Sequence, residues 1–373
     1  MARPAAKKTK PSPKADKTLA AVIADAPRLM DRKAAHARVT EWLEEIGQGA
    51  EGKALKRLIA GLPKFEALLI GLSDGSPYLW DLAAEPGRLL SLLNSDPDER
   101  LTELLAKAEK AVAATKDEAE AMRLLRRMKA EAALLIALAD IGGVWPVMRT
   151  TRALTELADT AIRAAVRFLL RDAVARGRLK PADRSKPEEG SGYIVLAMGK
   201  MGAFELNYSS DIDLIVFYDP DSPALAEKDN ATAFHVRITR GLVKLLQERT
   251  ADGYVFRVDL RLRPDPASTQ IAVSTETAIN YYGSVGQNWE RAALIKARVC
   301  AGDIKAGEAI LAQLAPFIWR KYLDYAAVAE IEALKRQIHA YRGHEDIAVE
   351  GHNIKLGRGG IREIEFFVQT QQL

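Results

Sequence analysis

The chain has 373 residues, 48% of them apolar, and a formal charge of +4. That size and apolar content exclude a wholly disordered chain and leave room for two or three domains with cores of their own. Much of the charge excess sits in the first seventeen residues and no long Lys/Arg run follows. This argues against a general nucleic-acid binder. No apolar stretch is long enough to span a bilayer, and the lone Cys300 excludes an internal disulfide. The expectation is a cytoplasmic protein with neither a membrane nor a nucleic-acid partner.

Met1 to about Lys17 is rich in Ala, Lys and Pro and reads as a solvated basic tail. From about Thr18 to Gly177 the apolar spacing is helical almost throughout, as in Ala35-Val39-Trp42-Leu43-Ile46. Turn signals at Gly47 to Gly49, Gly61 to Pro63, Ser73 to Pro77, Glu85 to Gly87 and Asp96 to Asp98 divide the stretch. A longer helix is predicted over Asp117 to Ala139, ending at Ile141-Gly142-Gly143, and another from about Thr151 to Arg176. The polar segment from Gly177 to Gly192 is a loop, after which the period changes. Tyr193 to Met198 and Leu214 to Tyr218 are short apolar runs bounded by turn residues, hence strands. A helix follows from Ala231 to about Arg249, then an alternating strand from Tyr254 to Leu260 that stops before Pro264. Past Ala278 the pattern is helical again over Glu290 to Cys300, Ala306 to Tyr325 and Ala326 to Arg342. Ile361 to Leu373 begins an amphipathic helix with no closing cap, which reads as part of something longer.

Asp211 and Asp213 open the strand that ends at Tyr218. Residues two apart on a strand face the same way, so two carboxylates stand side by side. Their repulsion is relieved by a cation, and hard oxygen donors suit Mg²⁺. If the strand that carries Asp259 is a neighbour, its carboxylate joins the pair, and three carboxylates hold two metal ions. Gly199 and Gly202 let backbone approach a phosphate, Lys200 adds a positive charge, and Ser209 and Ser210 supply hydroxyls. Arg261 and Arg263, two and four residues beyond Asp259, share its face if the strand continues, and there they neutralise a transferring group. The other reading of the two arginines is a surface ion pair.

Met198 to Ile215, Phe256 to Pro264, Asn288 to Arg291 with Lys296 to Arg298, and Ile354 to Phe366 together resemble the bacterial glutamine synthetase adenylyltransferase/adenylyl-removing enzyme. The resemblance covers about Leu124 to the end. It implies an α+β, mostly helical fold, with a nucleotidyltransferase-type small mixed sheet flanked by N-terminal and C-terminal helical regions. Taken with the tail at 1–17 and the helical region at 18–150, which composition and periodicity give, it implies the nucleotidyltransferase domain at 151–300 and the start of a helical bundle at 301–373.

That family has two such halves in one long chain. One removes AMP from a tyrosine of glutamine synthetase by phosphorolysis and gives ADP; the other adds AMP from ATP. Gly359-Gly360-Ile361-Arg362-Glu363-Ile364-Glu365 is similar to the removing half. By that resemblance Asp211, Asp213 and Asp259 are the metal ligands and catalytic acids, and Lys200, Gly202, Ser209 and Ser210 contact phosphate. Mg²⁺ is the implied cofactor, with two ions; ADP, ATP and phosphate are substrates or products; glutamine synthetase and a PII signalling protein are partners. ATP-dependent adenylylation of the synthetase or another protein is the second reading, and an idle docking module the third.

Ala203 departs from the family, which carries a second glycine there, and is tolerated if its backbone is not left-handed. Trp289 is either core or a stacking platform. Glu290, Arg291 and Arg298 are either a structural set or reach the nucleotide. Glu363 and Glu365, two apart on a helix, face different ways, so at most one points at a shared site. The histidines show no ligand spacing, zinc is not expected, and His344 and His352 read as surface residues.

Overall fold

The computed structural model describes residues 17–319 and 350–372. The tail up to residue 16, the end of the helix expected to reach Tyr325, the one expected over Ala326 to Arg342, and His344 lie outside the described residues. Among these residues the fold is α+β and mostly helical. It forms two compact units: one from the chain up to Ala161 with Arg249–Val255, the other from Ile162–Glu248 and Phe256–Leu373. No described helix is long and apolar enough to cross a membrane.

The first unit is helical: α1 (Leu19–Val22), α2 (Arg32–Ile46), α3 (Ala50–Ala60), α4 (Pro63–Gly75), α5 (Pro77–Ala83), α6 (Pro86–Leu93), α7 (Pro97–Ala114), α8 (Glu118–Ile141) and the first part of α9 (Val147–Ala175). The turn signals of the sequence are where these helices begin and end. Proline opens α4, α5, α6 and α7, where its missing N–H would have no partner anyway. The side chains of Asp31, Ser76, Asp96 and Asp117 accept hydrogen bonds from free amides at the starts of α2, α5, α7 and α8. Leu68, Leu89, Leu92, Leu125 and Leu134 are among the fully buried residues between them. Arg126 is also buried, and its guanidinium donates to the carbonyls of Gly253 and Met122, both at 2.9 Å. Burying that charge is tolerated because backbone oxygens replace water around it.

The second unit is built on a mixed sheet. Its strands are β1 (Tyr193–Ala197), β2 (Ile212–Tyr218), β3 (Val258–Asp259), β4 (Val273–Ser274) and β5 (Arg298–Gly302). Their order is β3-β2-β1-β5, with β4 also on β2. β1 is antiparallel to β2 and β5, whereas β3 and β4 are parallel to β2. Alternation along β1 and β2 sends Ile194, Leu196, Ile215 and Phe217 to one face. There they pack with residues of α12 (Thr275–Ser284), α13 (Asn288–Leu294) and α14 (Ile304–Ile318). The opposite face meets α11 (Ala231–Gln247), where Tyr193 Oη bonds Thr239 at 3.0 Å and Tyr218 Oη bonds Thr232 at 2.7 Å. Between β1 and β2 lies the single turn α10 (Gly199–Gly202), and Ile361–Gln372 is α15.

Two predicted elements differ. The helix expected over Glu290 to Cys300 stops at Leu294, and Arg298–Gly302 is strand β5. Tertiary pairing decides this: Ala301 aligns with Val195, and Gly302 turns at φ +83° where an added Cβ would lie 2.0 Å from the Tyr193 carbonyl. The strand expected from Tyr254 to Leu260 shrinks to Val258–Asp259. The Asp259 carboxylate accepts the Arg261 amide at 2.8 Å and bends the chain away.

Candidate active site

The chain leaves β1 through Met198, whose amide donates to the Asp213 carbonyl at 2.9 Å. It then turns at Gly199 with φ +53°, where an added Cβ would sit 2.9 Å from Asp213 Oδ2. Glycine is needed here for both the left-handed backbone and the close approach of the carboxylate. Ala203 has φ −86°, so the extra methyl at this departure from the family is unstrained; the left-handed residue is Phe204, at φ +60°. The loop returns through Ser209 at φ +54°, and the Ile212 amide donates to Arg257 at 2.9 Å.

Parallel pairing sets Asp213 directly opposite Asp259. The strand carrying Asp259 is therefore the neighbour of the strand carrying Asp211 and Asp213. Together with Gly199, Lys200, Ser209 and Ser210 these acids line a cleft of about 790 Å³. Asp213 is pushed up to about 6, chiefly by burial and then by the charges of Asp259 and Asp211, against the pull of Lys355 and Arg261. Asp259 lies below the ordinary carboxylate range because Arg261 donates to it from both side chain and backbone. The Arg261 side chain meets Asp259 at 2.5 Å, and Arg257 meets Asp211 at 2.5 Å while also donating to the Ser209 carbonyl at 2.7 Å.

These two ion pairs bear on the expected metal. Among the described residues no group of three His, Cys, Asp or Glu side chains is set to hold a metal ion as it stands. The donor chemistry nevertheless fits a hard dication. Three Asp carboxylates face one cleft, two already attract cationic groups, and the third is held toward its protonated form by burial and then by the charges of the other two. Asp211, Asp213 and Asp259 are the residues that would take Mg²⁺ in exchange for the guanidinium groups.

The remaining sequence candidates separate. Gly202 is buried, and a Cβ there would meet the carbonyls of Lys296 at 2.0 Å and Ala197 at 2.8 Å, so its glycine serves packing and does not line the cleft. Arg263 does not share the Asp259 face, because the strand ends first. Its guanidinium donates to the carbonyls of Leu260 and Pro266, both at 2.9 Å, and of Thr269 at 3.3 Å. Arg298 donates to the carbonyls of Gly202 and Met201 and sits 4.1 Å over the Phe204 ring.

Glu290 and Arg291 are buried. Glu290 accepts from the Gln287 amide at 2.8 Å and from Tyr281 Oη, and burial raises its pKa. Arg291 donates to the Phe317 carbonyl at 2.9 Å and to Asn288. Both therefore hold α13 in place. Glu365 lines the cleft while Glu363 turns back to the Gly359 amide. Arg257, Lys355 and Arg362 also line it, and the sequence motifs alone assign them no role. For Arg257 a signal existed, its place two residues before Asp259 on an alternating run.

Comparison with known proteins decides the family. A family model described as glutamate-ammonia ligase adenylyltransferase matches residues 67–313. The chain belongs to the family of bifunctional glutamine synthetase adenylyltransferase/adenylyl-removing enzymes. It is 58% identical to the member from Bradyrhizobium diazoefficiens over 357 residues, which is 95% of this chain and 36% of that relative. It is 57% identical to one from Rhodopseudomonas palustris over 356 residues and 56% identical to one from Xanthobacter autotrophicus over 357, each again covering 95% of this chain and 36% of the relative. The chain thus spans about a third of the length of these curated relatives. A second model, GlnD PII-uridylyltransferase, matches residues 329–373. Members of this family are nucleotidyltransferases.

Proposed function

We propose that this chain removes AMP from an adenylylated tyrosine of glutamine synthetase by phosphorolysis, giving ADP. The observation that carries the reading is the pairing of Asp213 with Asp259 at the edge of a cleft that also carries five cationic side chains: Lys200, Arg257, Arg261, Lys355 and Arg362. Acids alone would repel a phosphodiester, and bases alone would bind it without activating it. The two sets together suit phosphoryl chemistry on a charged substrate.

Mg²⁺ bound by Asp211, Asp213 and Asp259, as two ions, would supply Lewis-acid polarisation of the α-phosphate. Lys200, Lys355 and Arg362 hold the oxygens of inorganic phosphate and of the α-phosphate. Ser209 and Ser210 border the same space. Arg261, freed from Asp259, meets the charge that builds on the transferring group. An oxygen of phosphate bonds to the α-phosphorus as the bond to the tyrosine oxygen breaks. The proton carried by the attacking phosphate ends on that tyrosine oxygen, so the products are ADP and unmodified tyrosine.

Glutamine synthetase enters this reading from the names of the relatives. A PII signalling protein enters as a partner from the second family match, at residues 329–373. The cytoplasm is the compartment the reading implies. Asp211→Asn or Asp213→Asn is expected to abolish ADP release from adenylylated synthetase while circular dichroism stays native. Release at the normal rate by either variant would refute the assignment. Incubation with labelled ATP and unmodified synthetase separates the reverse direction, since only transfer labels the synthetase. If the chain binds neither Mg²⁺ nor ADP by calorimetry, it is a docking module.

A further inference from the structure

A second hollow, of about 350 Å³, adjoins the carboxylate cleft. The two share Gly199, Leu262, Arg362 and Glu365, so they are halves of one groove. Their chemistry differs. The first half is lined by charges and hydroxyls; the second is walled by Trp289, Ala292 and Ala293 of α13, by Leu262, and by Phe366 of α15. At its rim Lys296 lies 3.3 Å from Glu205 and 3.5 Å from Glu365. A concave apolar hollow of this size with few polar groups at the edge suits a planar aromatic ring.

The wall is fixed in place. Glu290, beside Trp289, closes the start of α13 through the Gln287 amide, and Arg291 ties the helix to the carbonyls at the end of α14. Trp289 itself is only half-buried, although the two residues that follow it, Glu290 and Arg291, are wholly inside. A large ring held open to a groove by a rigid helix is a stacking platform ready for a ligand. At the junction of the two halves stands Gly199, which has no side chain to block passage between them.

We infer that the apolar half is the base subsite of the nucleotide. The adenine ring lies against Trp289 and Phe366, the sugar passes Gly199, and the phosphates reach the cleft at Asp213. The inference rests on the nucleotidyl-transfer reading above and adds to it the residues that select a nucleotide over bare phosphate or pyrophosphate. Glu365 and Gln369 at the rim offer acceptor oxygens for an exocyclic amino group.

Calorimetry on the 373-residue chain in Mg²⁺, with ADP and with pyrophosphate as probes, tests it, because pyrophosphate has the phosphates and no base. Trp289→Ala and Phe366→Ala are each expected to weaken ADP about ten-fold or more, the usual effect of losing a base-stacking ring. Pyrophosphate binding should stay within about two-fold of the parent. Trp289→Phe, which keeps a ring and guards against a folding defect, should retain most ADP affinity. In the parent, ADP and not pyrophosphate should quench tryptophan fluorescence, and Trp289→Phe should lose that quench. Equal weakening of both probes by the alanine variants, or none of either, overturns the base subsite and leaves the nucleotidyl-transfer reading standing. A parent chain that binds neither probe overturns both.

Discussion

At the scale of single residues, three neighbouring positions that look interchangeable do different things. Gly199 lets the Asp213 carboxylate approach, Gly202 lets the Lys296 carbonyl approach, and Ala203 touches neither constraint. Gly202→Ala places a methyl against two backbone oxygens that have no rotamer to yield, at a cost of about 2–3 kcal/mol. Urea unfolding should show it as a lower midpoint at constant slope. Gly199→Ala is expected to keep most stability, losing about 1–2 kcal/mol to its left-handed backbone, and to lose most ADP release because the methyl crowds Asp213. A Gly202→Ala protein as stable as the parent would contradict the packing role. The order of residues in the sequence reveals the acids and the glycine-rich turn. It does not reveal that Gly202 faces inward and Gly199 outward, because that depends on where Lys296, over ninety residues later, crosses the loop. Arg263 is hidden for the same kind of reason: the Asp259 side chain ends the strand two residues after it begins, and no pattern of alternation records that.

At the scale of elements, β1 and β2 are legible because continuous apolar runs bounded by Gly and Pro have one natural reading, a strand buried on both faces. β5 is not, because Lys296 to Cys300 has the composition of a helix and becomes a strand only by pairing with β1. α11 shows what burial on the far face of the sheet entails. His235 is fully buried, stacked on Tyr218 at 4.4 Å and Tyr193 at 6.0 Å, and its Nδ1 bonds the Ala231 carbonyl at 2.8 Å. Burial pulls it down to about 4 from 6.5. The unfolded chain therefore binds a proton that the folded chain refuses between those two values. The stability that follows is complete above about pH 6.5 and falls as pH drops toward 4, by up to about 3 kcal/mol over the window. Thermal midpoints of the parent across pH 4 to 7 should show this slope. His235→Leu should flatten it, since a side chain with no proton to bind contributes no linkage. An unchanged slope in that variant would assign the loss to other groups.

At the scale of the whole molecule, the site is poised by charges the chain supplies to itself. Arg257 and Arg261 pair with Asp211 and Asp259, while Asp213 between them is raised to about 6, first by burial and then by the charges of Asp259 and Asp211. The Arg261 side chain is 84% exposed and that of Arg257 50%. Exposed guanidinium pairs hold weakly against water and salt, so a dication that arrives with a nucleotide meets little resistance. A dication without nucleotide gains less, because it displaces the same two guanidinium groups with no phosphate oxygens to complete its coordination. A ligand that binds only the folded state stabilises it by about 2.7 kcal/mol at a hundred times its dissociation constant. Mg²⁺ with ADP is thus expected to raise the melting midpoint of the parent by several degrees, and Mg²⁺ alone by much less. Asp213→Asn should abolish the joint effect, because the central donor is lost. Arg261→Ala should instead enlarge the effect of Mg²⁺ alone, because Asp259 then has no internal cation to exchange. If Mg²⁺ alone stabilises the parent and Arg261→Ala equally, the arginines do not compete for the acids and the self-neutralised resting site is wrong.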